Sequence, residues 1–356
     1  MNAFETLFQM PEQATDSAPG RVNLMGEHTD YNQGFVLPTI LPDRTTVRLA
    51  IATDNDEQLD AFSAHYQERI RCSFAAQFTG HWINYILACI QQLCKRGITV
   101  PNLKLFVEST VPIGAGVASS AALEVAVLKA MRTLLKLNLT ELEIAAIAQQ
   151  AESEGVGMPC GIMDQMVASL GQPHQAFFLD TQDLSFEQIP LPANYRFAVV
   201  HSGKTHALVE GSYKQRRQEC ERTAALLNVS SLREIDFSRL ESSKHLPETL
   251  WKRAKHVVTE NQRVLDSVAA LRANRIVDFG ALMNASHLSQ KQDFAVTIPE
   301  TDDLWEVALK YGAIGARQTG GGFGGAIVAL IPDGAVQKWW DCVSKACVNA
   351  SLICVI

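Results

Sequence analysis

A chain of 356 residues is long enough for two domains with cores of their own, and 47% hydrophobic against 19% charged residues excludes a disordered or fibrous polypeptide. The formal net charge is −7 and the densest basic cluster is the short Lys214-Gln-Arg-Arg217, read as a solvated helix face or a small anion contact, so no nucleic-acid partner is expected. No apolar run is long enough to span a bilayer, the first twenty residues lack an export leader, and no membrane partner is expected.

The eight cysteines form no CxxC pair and no zinc-like spacing with histidine. They read as reduced core thiols, as at Cys89 and Cys94, which suits a cytoplasmic protein.

In chain order, Phe4, Leu7 and Phe8 suggest a short helix. The stretch from Ala18 to Asn32 then places Arg21, Glu27, His28 and Asp30 close together beside apolar Val22, Leu24 and Met25. Such a strand could deliver polar side chains into a cleft, and a surface strand with solvated charges fits the same residues. Phe35 to Pro38, Thr45 to Ala52 and Phe62 to Tyr66 read as strands. Trp82 to Arg96 reads as an amphipathic helix with Trp82, Tyr85, Ile86, Cys89, Ile90 and Leu93 on one face.

Leu103 to Ser109 predicts a strand, and Ala121 to Leu135 a helix. Between them, Gly114 and Gly116 allow a tight turn and close approach of a ligand, while Ser119 and Ser120 fall at the helix start as candidate caps. A helix start offers free N–H donors and a positive dipole end, a combination that binds phosphate. A capped core helix after an ordinary turn fits this stretch equally well.

Thr140 with Glu143 predicts a capping box opening a helix toward Gln149 and Glu152. Ile162 to Leu170 predicts another, with Asp164 in its first turn. Ala176 to Leu179 and Tyr195 to Val200 read as strands, and a second domain is expected to begin near residue 191, after a first over 1–190. Ser212 to Leu227, Pro247 to Leu271 and Arg275 to Gln290 are helical runs, the second opening on a proline. A second glycine cluster, Thr319 to Gly325, precedes an apolar strand from Ala326 to Ile331. The strand from Phe197 followed by Gly203-Lys204-Thr205 echoes a Walker A loop, but position 198, where its first glycine belongs, is alanine.

Three separated stretches carry a resemblance. Gly20-Arg-Val-Asn-Leu-Met-Gly-Glu-His-Thr-Asp-Tyr31 resembles the galactokinase signature. Pro112-Ile-Gly-Ala-Gly-Val-Ala-Ser-Ser-Ala-Ala-Leu-Glu124 resembles the phosphate loop of the GHMP small-molecule kinases, and Gly315-Ala-Arg-Gln-Thr-Gly-Gly-Gly-Phe-Gly-Gly325 their third motif. Cys160-Gly-Ile-Met-Asp-Gln165, Tyr213 and Ser286-His287 match galactokinases too, so the likeness runs in order over nearly the whole chain.

The resemblance implies an α+β, two-domain GHMP kinase fold. Its N-terminal domain would have a ribosomal-protein-S5-like β/α arrangement, its C-terminal domain a ferredoxin-like split βαβ arrangement, with the active site in the interdomain cleft. It implies an ATP-dependent sugar 1-kinase acting as a monomer on D-galactose and MgATP. A kinase for N-acetylgalactosamine or arabinose, or a catalytically weak sugar sensor, carries similar motifs.

By the same likeness Asp164 is the catalytic carboxylate and Arg21 its partner. Glu27, His28, Thr29, Asp30, Gly161 and Tyr213 hold the sugar. Gly114, Ala115, Gly116, Val117, Ala118, Ser119 and Ser120 wrap the ATP phosphates, Ser63 contacts the nucleotide, and Ser120 with Glu152 holds Mg2+. The chain departs from the family pattern at Ala118, usually Ser, at Gly155, usually Phe, and at the end, where Ser351 to Ile356 is left to supply a shortened last strand.

Overall fold

The computed structural model describes residues 2–53, 57–78, 80–158, 160–204 and 209–356. In chain order the elements are α1 (Ala3–Phe8), β1 (Ala14–Asn23), β2 (Phe35–Val36), β3 (Pro38–Ile51), β4 (Leu59–Ser63), β5 (Glu68–Cys72), α2 (Ile83–Lys95), β6 (Leu103–Ser109), α3 (Ser119–Leu135), α4 (Glu141–Gln150), α5 (Met163–Leu170), β7 (Gln175–Asp180), β8 (Phe186–Pro190) and β9 (Tyr195–His201). They continue as α6 (Val209–Leu226), α7 (Phe237–Ser242), α8 (Glu248–Arg272), α9 (Ile276–Ser289), α10 (Pro299–Lys310), β10 (Gly315–Thr319), β11 (Ala326–Pro332), α11 (Val336–Ala346) and β12 (Ser351–Val355). The chain divides into two compact units, each assembled from separate stretches. One holds Met1–Gly20, Pro42–Pro112 and Ala118–Leu170; the other holds Arg21–Leu41, Ile113–Val117 and Gly171–Ile356.

In the first unit β3 pairs antiparallel with β6, from Thr45 opposite Ser109 to Ile51 opposite Leu103. β6 runs parallel to β4, and β4 is antiparallel to β5. The sheet turns Val47, Leu49, Leu105 and Val107 inward against Ile86, Cys89, Ile90 and Leu93 of α2, with Val125 and Leu128 of α3 and Ile147 of α4 in the same core. Each such side chain, fully buried, contributes about 1.5–3 kcal/mol. Thr140 caps α4 through the expected box with Glu143. The helix then widens into a π turn, Ala151–Val156, that ends at Gly157 with φ 84°. A Cβ on Gly155 would lie 2.5 Å from the Ala88 Cβ, so that turn packs on α2 only because the side chain is missing.

In the second unit β10, β11, β9 and β12 form a four-stranded antiparallel sheet in that order. The last strand forms as expected, with Ser351 opposite His201 and Val355 opposite Ala198. Leu304 and Ala308 of α10 and Trp339 and Val343 of α11 cover this sheet at Ala198, Val200, Ile327 and Ala329. Helices α6, α7 and α8 share another core around Cys220, Leu240, Val257 and Phe294. β7 pairs with β2, β8 and the start of β3. Both units mix helices with largely antiparallel sheet, the α+β class expected.

Several local expectations change. The strand expected from Phe62 to Tyr66 is β4, which starts at Leu59 and stops at Ser63; Gln67, at φ 52°, completes a turn into β5. Pro247 is not the first helical residue of α8 but the extended residue before it, at ψ 133°. Cys94 is exposed, because at the end of α2 it faces away from the apolar stripe; all eight cysteines are free. The basic cluster is engaged rather than merely solvated: Arg216 donates to the Phe294 carbonyl at 2.8 Å and pairs with Glu219, and Arg217 pairs with Glu221. Among the described residues no helix is long and apolar enough to cross a membrane.

Candidate active site

Strand β1 ends in the second unit by delivering Arg21, whose buried guanidinium donates from Nη1 to the Gly116 carbonyl at 2.8 Å. The loop after β1 turns at Gly26, with φ 94°, where a Cβ would lie 2.5 Å from the Phe35 carbonyl. The Thr29 hydroxyl sits between the Gly26 and Phe35 carbonyls, at 2.8 and 2.6 Å, and so fastens the two ends of the loop. Asp30 opens a single 3-10 turn, and its carbonyl accepts from the Thr181 hydroxyl at 3.0 Å.

Glu27 is the charged centre of this loop. Its Oε1 accepts from the Gly320 N–H at 2.8 Å and lies 3.5 Å from Nη1 of Arg317. Arg317 is wholly buried; it also donates to the Asn23 carbonyl at 2.9 Å and meets Glu260 at 3.5 Å. Burial pushes the Glu27 carboxyl above its ordinary value, against the opposing pull of Arg317 and Arg21. At Glu260 burial works the same way, yet Arg263 and Arg317 hold the group below its ordinary value.

His28 has φ 63° and is buried beside Tyr31, Tyr213 and Phe294, with ring centroids 5.8, 5.4 and 4.7 Å away. Its Nδ1 lies 2.9 Å from the Tyr31 hydroxyl. Burial, then the neighbouring His256 and Arg216, lowers its pKa to about 3, so the imidazole is neutral near pH 7. Tyr213 approaches the third-motif loop closely: a Cβ on Gly321 would sit 3.3 Å from its ring.

The phosphate loop follows from backbone geometry. Gly114 and Gly116 have φ 74° and 76°, and a Cβ on Gly114 would meet nothing within 4 Å. Gly320, at φ 84°, packs backbone to backbone on the loop; a Cβ there would lie 2.9 Å from the Gly116 carbonyl. The serine cap does not form. Ala118, left-handed at φ 60°, precedes α3 and supplies no side-chain cap, and Ser119 is already helical. Alanine has no acceptor to offer, so the first N–H groups of α3 are left without a side-chain cap, as an anion site requires.

In the first unit Glu152, from the π turn, is buried and hydrogen-bonded to Ser120 and to Nε2 of Gln165. Burial raises its pKa, and Asp164, in the first turn of α5, raises it further. Glu124 of α3 is buried nearby and is pushed well up by burial and then by Glu152. Glu124 and Glu152 are two buried carboxyls whose charged forms are disfavoured, a setting that a cation relieves. Among the described residues no group of three or more His, Cys, Asp or Glu could hold a metal ion by itself. Magnesium at a nucleotide needs only one or two protein oxygens beside the phosphates, so Ser120 and Glu152 fit it.

The expected residues thus fall into two sets. Ala118, Ser119, Ser120, Glu152, Gly161 and Asp164 belong to the first unit; Arg21, Glu27, His28, Thr29, Asp30, Gly114 to Val117 and Tyr213 belong to the second. Ser63, at the end of β4, is buried, and its hydroxyl accepts from the Tyr66 N–H at 3.4 Å. Lys204 of the Walker-like stretch is exposed and 4.0 Å from Glu300, while Thr205 lies outside the described residues. Arg317, Glu260, Tyr31, Glu124 and Gln165 were missed as site residues. Arg317, Tyr31, Glu124 and Gln165 sit inside the motifs that carry the resemblance, and for Arg317, Glu124 and Gln165 a charged or amide group within an apolar or glycine-rich run was the signal available.

Family models match the two glycine loops and their flanks: the GHMP kinases N terminal domain over residues 84–172 and the GHMP kinases C terminal domain over residues 267–349. With these two matches the fold is that of a GHMP kinase. The galactokinase galactose-binding signature matches residues 2–51. The chain is 42% identical over 333 residues to a galactokinase of Actinobacillus pleuropneumoniae, covering 90% of this chain and 85% of that protein. It is 42% identical over 339 residues to a galactokinase of Chloroflexus aurantiacus, covering 92% and 86%. The crystal structure of Lactococcus lactis galactokinase complexed with galactose superposes with a TM-score of 0.92 at 31% identity, covering 98% of this chain and 95% of that one. The chain belongs to the galactokinase family.

Proposed function

We propose that this chain transfers the γ-phosphoryl group of ATP to O1 of D-galactose, giving galactose 1-phosphate and ADP. The observation that carries this reading is the loop from Gly26 to Gly34, which lies within the galactose-binding signature match. It presents a buried carboxylate, Glu27, and a neutral imidazole, His28, beside the Tyr213 ring. Sugar hydroxyls both donate and accept. Glu27 offers an acceptor and His28 its Nε2, the Nδ1 being engaged with the Tyr31 hydroxyl, while Asp30 and Gly161 complete the proposed sugar contacts and Thr29 holds the loop that carries them.

Asp164 is proposed to take the proton of the anomeric hydroxyl as O1 attacks the γ-phosphorus and the bond to the bridging oxygen breaks, releasing ADP. Arg21 is permanently charged and would counter the negative charge on the transferring group. Gly114 to Val117 and the N–H groups at the start of α3 would cradle the phosphates, with Ser63 toward the nucleotide. Ser120 and Glu152 would hold Mg2+, which would supply positive charge to offset the negative charge that develops on the phosphates. Eight free cysteines suit the reducing cytoplasm.

Coupled measurement of ADP release with galactose, glucose, N-acetylgalactosamine and arabinose tests the reading. A site built to hydrogen-bond one epimer leaves buried groups unpaired with the other, so galactose should be strongly preferred over glucose. Comparable specificity constants for the two epimers, or no sugar-dependent ADP release from protein that still binds both ligands, would overturn it.

A further inference from the structure

Glu152 is gripped by a side chain that the transfer reaction does not itself require. Nε2 of Gln165 donates to Oε2 of Glu152 and also lies 3.4 Å from Oε2 of Glu124, so one amide bridges two carboxylates. Gln165 and Glu124 are both wholly buried. The Cys160 thiol adds a weaker contact to the same Glu152 oxygen at 3.7 Å. Glu124 Oε1 and Gln165 Oε1 have no hydrogen-bond partner among the described residues. An unsatisfied buried polar atom costs about 1–3 kcal/mol, so this arrangement is not explained by stability.

We propose that Gln165, braced by Glu124, is a positioning residue for the metal-binding carboxylate: its bridging amide fixes the one rotamer in which Glu152 meets Ser120. The inference rests on the reading of Ser120 and Glu152 as the magnesium pair. The three residues reach this point from separate elements: Glu124 from the middle of α3, Glu152 from the π turn after α4, and Gln165 from the first turns of α5. A free glutamate side chain samples several rotamers, and ordering it at the moment of metal binding weakens affinity. The bridge orders it beforehand. Partners that hydrogen-bond a metal-ligating carboxylate typically change metal affinity about 10–100-fold when removed.

The test is calorimetric. Magnesium with an ATP analogue whose γ-phosphoryl cannot transfer is titrated into wild type, Gln165→Met, Glu124→Gln, Glu124→Leu and Glu152→Ala, and D-galactose is titrated separately. Gln165→Met keeps the volume and loses the amide. It should weaken binding of the magnesium-nucleotide complex by about 10–100-fold and leave galactose binding unchanged. Glu124→Gln retains an acceptor for the bridge and should stay near wild type, whereas Glu124→Leu should follow Gln165→Met. If Gln165→Met does not fold, the contrast between the two Glu124 variants decides the matter.

Wild-type magnesium-nucleotide binding in Gln165→Met or Glu124→Leu, or an equal loss for both ligands, would overturn the positioning role. If Glu152→Ala also binds the magnesium-nucleotide complex normally, the metal assignment itself fails and the inference with it. Absence of galactose phosphorylation beside intact magnesium-nucleotide effects would instead count against the proposed reaction alone.

Discussion

Arg21 donates from Nη1 to the Gly116 carbonyl at 2.8 Å, and its backbone N–H meets the Val117 carbonyl at 3.0 Å. The end of β1 is thereby held to the phosphate loop by side chain and main chain together. A lysine would keep the charge but lose the fork that can bond a carbonyl and still face an anion. Arg21→Lys should therefore lower kcat by about 10²–10³-fold, the usual loss when a donor to a developing oxyanion is removed, with galactose affinity retained. Steady-state kinetics beside equilibrium sugar binding checks this, and a kcat close to wild type would refute it.

Asp164→Asn keeps the shape of the first turn of α5 but cannot take a proton. Turnover should fall by at least about 10²–10⁴-fold while galactose still binds, because Glu27, His28 and Tyr213 remain. Single-turnover transfer with parallel calorimetry separates the two halves. Loss of sugar binding in a folded variant would recast Asp164 as a binding residue.

His28 and His256 are both buried, with pKa values lowered to about 3 and about 4 from an ordinary 6.5. Burial is the main cause for each. The folded state thus keeps them neutral, so their contribution to stability is fully present above pH 6.5. Below that the unfolded chain binds protons that the folded one refuses, and stability falls toward pH 4 by about 1.4 kcal/mol per pH unit for each histidine. Urea unfolding across this window should show the decline, flattened in His256→Gln. A stability independent of pH there would contradict it.

Gly155→Ala would place a Cβ 2.5 Å from the Ala88 Cβ, in a core where neither backbone can easily retreat. Such overpacking costs typically about 1–3 kcal/mol. Chemical denaturation should show that loss, and an unchanged or raised midpoint would mean that the π turn shifts freely on α2. A phenylalanine at this position could not be accommodated against Ala88 without moving one of the two elements.

The sequence by itself determined those features whose causes lie within a few residues. The capping box of Thr140 and Glu143, the full extent of β6 and the first turn around Asp164 are local: a side chain reaches its own backbone, or an apolar run extends at one period. The motif resemblance singled out Arg21, Glu27, Ser120, Glu152 and the glycine loops as candidates. It did not yield β5 or β8, short strands with few buried side chains that exist through pairing with β4 and β7. Nor did it yield α7, α10 and α11.

Only the tertiary structure decided what surrounds the charges. Gly320 donates to Glu27 across 293 residues of chain, and Gln165 reaches Glu124 across 41. No periodicity or cap encodes such pairs. They follow from packing that removes water and forces each buried polar group to find the nearest partner. The helix start at Ala118 illustrates the same point at short range. Serines at positions 119 and 120 predicted a cap, but the left-handed Ala118 draws both into the helix and leaves the leading N–H groups without one. That choice depends on how the glycine loop turns, and the third-motif glycine packed against it, far away in sequence, holds that turn.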